Sequence, residues 1–148
     1  MPDSKLRLGK PKLSEHPVDI GLRTEAAILS ELVRRGYSLL LPFGVNQRYD
    51  LVFDLGGEFM RAQCKTGRLR RGSVVFRTAS VQSNTRGSRC HGYRGDADVF
   101  LVYCPETDVV YVVPVAESPK GHMMLRVDRT ANGQSERIRW ASDYELPA

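Results

Sequence analysis

Tyr49-Asp50-Leu51-Val52-Phe53-Asp54-Leu55-Gly56-Gly57-Glu58-Phe59-Met60-Arg61-Ala62-Gln63-Cys64-Lys65 decides how this chain folds. Two runs of alternating character flank Gly56-Gly57, and paired glycines admit the positive φ angles that a tight hairpin turn requires. With Leu55 opposite Glu58, the register places Asp50 across from Gln63. Successive strand side chains point to opposite faces. Asp50, Val52 and Asp54 therefore share a face with Phe59, Arg61, Gln63 and Lys65, while Leu51, Phe53, Met60, Ala62 and Cys64 line the other. One face is mostly apolar, and the other carries the chemistry.

Upstream, Leu22, Ala26, Leu29 and Val33, with Ile28 and Leu32 alongside, follow helical spacing and predict a helix from about Val18 to Arg35. Pro17 and Asp19 suit its first turn and Gly36 its stop. Glu25 falls inside that apolar stripe. Burying an unpaired carboxylate costs several kcal/mol, so either a cation lies beneath it, or it reaches solvent or an arginine at the stripe edge. Further strands are expected at Tyr37 to Phe43, Ser73 to Ala79, Val99 to Tyr103 and Val109 to Val115, with weaker ones at Met123 to Val127 and Ile138 to Trp140. Pro105-Glu106-Thr107-Asp108 turns the second hairpin. The polar stretch Ser80 to Gly92 reads as a loop or a short helix.

A chain of 148 residues suits one domain, expected over 16–148, preceded by a basic arm over 1–15 carrying Lys5, Arg7, Lys10 and Lys12. With 41% hydrophobic and 26% charged residues, it is neither disordered nor fibrous. No apolar run approaches the ~18 residues of a membrane span, and the start lacks a secretory segment, so no membrane association and a cytoplasmic location are expected. Cys64, Cys90 and Cys104 form an odd set without a Cys-x-x-Cys pair, which argues against a disulfide scaffold or zinc finger and for buried thiols on strands.

Charge is unevenly spread. Phe59 to Gly95 holds nine basic residues and no acidic one, so the rest of the chain carries −4 of the net +5. Arginine, whose planar fork matches phosphate oxygens, supplies most of these cations. The pattern points to a polyanion partner. If the helix packs on the hairpin, Glu25, Asp50 and the Gln63 amide oxygen converge as the oxygen donors that Mg²⁺ selects. Lys65 lies close enough to orient a water or steady the charge developing on a phosphodiester.

Glu25, Asp50 and Gln63-Cys64-Lys65 together resemble the PD-(D/E)XK nuclease superfamily, whose pattern is a helix Glu, a strand Asp, and Glu or Gln, any residue, then Lys on the next strand. The Gln variant and the block from Tyr93 to Pro105 are similar to the branch containing homing endonucleases of group I introns. The resemblance spans roughly residues 17 to 116 and departs in two places. Asn46-Gln47-Arg48-Tyr49, not a proline, precedes Asp50, and Gln63 replaces a carboxylate. It implies an α/β, restriction-endonuclease-like mixed β-sheet core flanked by helices. It also implies a Mg²⁺-dependent DNA endonuclease, with Mn²⁺ as a substitute, in which Glu25, Asp50 and Gln63 are metal ligands and, with Lys65, catalytic residues. Because one domain holds one site, cutting both strands implies a homo-oligomer, a dimer or tetramer. The alternatives are a Holliday junction resolvase-like or repair nuclease, and a non-catalytic nucleic-acid binding module on the same scaffold. The DNA contacts expected are Arg61, Arg68, Arg70, Arg71, Arg86, Arg89, Tyr93 and Arg94. Arg61 has Asp54 as a rival partner, while Asp96 and Asp98 either cap their segment or pair with arginines.

Overall fold

A computed structural model describes residues 9–130, 132–133 and 136–147. Helix α1 (Pro17–Arg34) starts where His16 Nδ1 accepts the Val18 N–H at 3.2 Å and Pro17 takes the first turn. It stops at Gly36, whose φ of 85° suits glycine. The first eight residues of the expected basic arm lie outside the described residues, and 9–15 have no regular structure.

Strands β1 (Leu39–Leu40), β2 (Leu51–Leu55) and β3 (Glu58–Thr66) follow, then β4 (Arg68–Arg70), β5 (Ser73–Arg77), β6 (Ala79–Asn84) and β7 (Gly87–Gly92). β8 (Val99–Cys104), β9 (Val109–Pro114) and β10 (His122–Arg126) complete the set. The main sheet runs β1-β2-β3-β8-β9; β3 and β8 are parallel and the other pairs antiparallel, so the sheet is mixed as expected. The Gly56-Gly57 hairpin has the anticipated register, with Leu51 opposite Ala62 and Leu55 opposite Glu58. α1 covers one face of this sheet over Ile28, Leu32, Leu51, Phe53, Ala62 and Leu101. A three-stranded sheet, β10-β5-β4, covers the other through Val74, Phe76, Phe100, Val102 and Leu125. Covered on both faces, β8 is an almost unbroken apolar run, as such strands must be.

Five expectations need correction. The buried stripe of α1 is Thr24, Ile28 and Leu32, whereas Leu22 and Val33 are 65% and 61% exposed. The helix can turn this way because the Thr24 hydroxyl is satisfied by that of Thr66 on β3, a long-range partner that local periodicity does not report. Tyr37 to Phe43 yields only the two-residue edge strand β1 before Pro42. Ser80 to Gly92 is neither loop nor helix but most of the β6–β7 hairpin, a separate two-stranded ribbon. At Ile138 to Trp140 there is a single bridge from Trp140 to Arg126. The three thiols are on strands but only Cys104 is buried; Cys64 is half-buried, and Cys90 is exposed because every position of β7 is.

Candidate active site

β2 begins at Leu51 opposite Ala62, but β3 runs on to Thr66 beside β8, so past Ala62 the β2 side of β3 is open. Asp50 fills the gap. Its backbone N–H donates to the Ala62 carbonyl at 2.8 Å, and its Oδ2 accepts the Cys64 N–H at 2.7 Å in place of a strand partner. A buried backbone donor must be satisfied, and a carboxylate at this fork does it with a charge-assisted bond.

The fork is reached from both faces of the sheet. α1 brings Glu25 from the face lined by Leu51 and Ala62. Lys65 lies on the other face, its Nζ donating to the Tyr93 hydroxyl at 3.1 Å. Burial raises the Asp50 pKa, against the lowering effects of the Cys64 N–H and the Lys65 charge. Burial also raises that of Glu25, and the Asp50 charge adds to it. Asp50 thus interacts with Glu25 and with Lys65, and two interacting carboxylates disfavour each other's ionisation unless a cation intervenes. Gln63 is half-buried, two residues before Lys65 on the same strand, and strand alternation puts it on the Lys65 face. The Cys64 thiol, pushed well up by burial and by both carboxylates, stays neutral.

Among the described residues no three His, Cys, Asp or Glu side chains gather in a metal-binding group. The candidate donors are therefore two carboxylates and an amide oxygen, all hard. Such a set fits Mg²⁺, which binds through one or two carboxylates and keeps several waters, and it would be poor for a softer metal.

The expected DNA contacts divide. Arg61 is engaged by Asp98, not Asp54: its Nη2 and Nε meet the Asp98 carboxylate at 3.1 and 3.2 Å, and Nη1 donates to the Gly95 carbonyl at 3.0 Å. That fork is spent within the protein, and the pair holds the Asp98 carboxyl below its usual range. Tyr93 is 5% exposed, packed edge-to-face on Phe100, so it cannot stack on a base. Arg70, Arg71, Arg86, Arg89 and Arg94 are exposed, and Arg68 lies 4.0 Å from Glu106. Every β7 side chain is exposed, which makes the ribbon a projecting basic element. Periodicity missed Arg48, which holds Asp96 and the base of the ribbon; its one signal was a cation two residues before Asp50.

A family model described as PD-(D/E)XK endonuclease matches residues 15–147. The chain belongs to the PD-(D/E)XK endonuclease family. Among solved structures, this PD-(D/E)XK chain is similar to a bacterial homing endonuclease, I-Ssp6803I, with 26% identity, a TM-score of 0.71 and 88% of each chain covered. No curated protein matches it. Among the described residues of this endonuclease-family chain, no helix is long and apolar enough to cross a membrane.

Proposed function

We propose that this protein is a Mg²⁺-dependent DNA endonuclease of the homing type. The observation that carries the reading is the fork itself, where Asp50, anchored on the Cys64 N–H, lies within electrostatic reach of both Glu25 and Lys65. Glu25, Asp50 and Gln63 would hold the ion, which when bound polarises the phosphodiester and offsets charge building on its oxygens. Lys65 spends one of three ammonium donors on Tyr93, which leaves two to orient the attacking water and to meet a phosphate oxygen. Arg68, Arg70, Arg71 and Arg94 offer phosphate contacts. The β6–β7 ribbon, bearing Arg86 and Arg89, has the shape a major groove admits. Likeness to I-Ssp6803I supports the homing role.

A second copy of the chain is expected, because one site cuts one strand. The exposed apolar side chains Val18, Leu22 and Val33 on α1 are suited to cover it. Plasmid nicking with Mg²⁺ or Mn²⁺ against a chelator control tests the reading. Cleavage that needs the metal and falls to a small residual rate in Asp50→Asn and in Lys65→Ala is the expected result, and cleavage at the unaltered rate in both refutes the site. Preference for four-way junctions over linear duplex would shift the role to a resolvase. DNA binding without cleavage under any divalent ion would leave a binding module. Light scattering that shows a monomer on DNA would remove the oligomer.

A further inference from the structure

Arg48 and Tyr93 stand between the ribbon and Lys65, and neither has a place in the metal-binding set. The Arg48 guanidinium lies 4.1 Å from the centre of the Tyr93 ring, and Lys65 Nζ lies 4.6 Å from it while donating to the hydroxyl. Every nitrogen of the Arg48 guanidinium has a partner within the protein. Its Nε meets Asp96 at 3.2 Å, Nη1 donates to the Ser80 hydroxyl at 2.9 Å, and Nη2 donates to the Gly92 carbonyl at 2.6 Å. Ser80 is on β6 and Gly92 ends β7, so one guanidinium ties the base of the ribbon to the ring under Lys65. Tyr93 is buried on Phe100, the β8 residue paired with Gln63.

We propose that Tyr93 is a positioning residue for Lys65 and that Arg48 holds Tyr93 to the ribbon base, so that the seat of the ammonium is set by the element that would grip DNA. A lysine ammonium rides on four freely rotating bonds and is placed only by what it touches. Here an acceptor oxygen and an aromatic face place it together. Arg48, with each guanidinium nitrogen engaged internally, acts through this clamp and not on phosphate.

The proposal rests on Lys65 acting in cleavage, so its tests separate the two ideas. In Tyr93→Phe the ring stays and the acceptor goes. kcat should fall about 10-fold, as is typical when a supporting hydrogen bond to an active-site group is lost, with KM for DNA within about two-fold. Tyr93→Leu should lower kcat further. In a Lys65→Ala background, Tyr93→Phe should change the residual rate hardly at all, because its effect runs through the missing ammonium. An equal 10-fold fall in that background, or no fall with Lys65 present, overturns the proposal. A readout independent of cleavage is the NMR shift of the Lys65 Cε protons, assigned by comparison with Lys65→Arg in metal-free, DNA-free protein. The Tyr93 ring should move them upfield, and the shift should return to that of a solvated lysine in Tyr93→Leu. A solvated-lysine shift in the unaltered protein also overturns the proposal. Failure of the unaltered protein to cleave, with the ring shift present, counts against the nuclease reading alone.

Discussion

Asp50 has two separable duties, and two substitutions divide them. Asp50→Ala removes the acceptor of the Cys64 N–H, the 2.7 Å bond that closes the fork. Hydrogen bonds to charged groups contribute about 1.5–3 kcal/mol, and an unsatisfied backbone donor costs about 1–3 kcal/mol. Against this, the alanine variant loses a carboxylate whose ionisation burial disfavours, so the net destabilisation should be about 1–2 kcal/mol. At this chain length that lowers the melting temperature by about 2–8 °C. Asp50→Asn keeps an oxygen on the Cys64 N–H and sheds the charge that opposes Glu25, so without metal it should melt within about 1 °C of the unaltered protein or above it. Its response to Mg²⁺ or Mn²⁺ should vanish, since a ligand charge is gone, while the unaltered protein is stabilised by the ion. Urea denaturation in chelator, followed by melting against metal concentration, measures both duties. An alanine variant as stable as the asparagine variant would show that the fork needs no acceptor. A metal-induced rise retained by Asp50→Asn would show that Asp50 is not a ligand.

The pH dependence has a definite sign. Glu25 and Asp50 have raised folded pKa values, so their contribution to stability is complete below about pH 4, where the unfolded groups are still protonated, and is lost as pH rises through the folded values. In chelator, the stability difference between the unaltered protein and a Glu25→Gln, Asp50→Asn double variant should therefore move against the unaltered protein as pH rises from 4 to 7. Saturating Mg²⁺ should reverse that slope, because only the ionised carboxylates bind it. Arg89→Ala should lower the slope of log affinity for DNA against log salt by about 0.9, whereas Arg61→Ala should leave it unchanged while costing about 1 kcal/mol in urea denaturation. Fluorescence anisotropy at several salt concentrations distinguishes them, and a slope that falls for Arg61→Ala would put that guanidinium on phosphate. Gly67→Ala should destabilise by about 1–3 kcal/mol, since an added Cβ would stand 2.7 Å from a Val74 methyl and 2.9 Å from a Val102 methyl. A neutral result in thermal melting would mean that those valines yield without strain.

The hairpin register and the helix were legible in the chain because each follows from short-range rules, whereas the mixed sheet was implied only by the family resemblance, its parallel β3–β8 pairing joining residues far apart in sequence. Glycine pairs turn, strands alternate, and Pro17 and Gly36 bound a helix. Family membership was legible for the same reason, since a strand register fixes the offset between Asp50 and Gln63-Cys64-Lys65. The rotation of α1 was not, because it depends on Thr24 finding Thr66 forty-two residues away. Nor was the ribbon, whose polar residues carry no apolar period and whose strands are defined by pairing with each other.

Local pattern therefore determined the order of Asp50, Gln63 and Lys65 along their strands and the register between them, as those depend on covalent spacing and backbone geometry. Which arginine meets which acid was decided only in three dimensions. Arg61 could have paired with Asp54 on the neighbouring strand and instead takes Asp98, and Tyr93 lies under Lys65 instead of facing solvent. Long side chains choose partners by where the folded backbone brings them within hydrogen-bond reach, and sequence distance does not encode that.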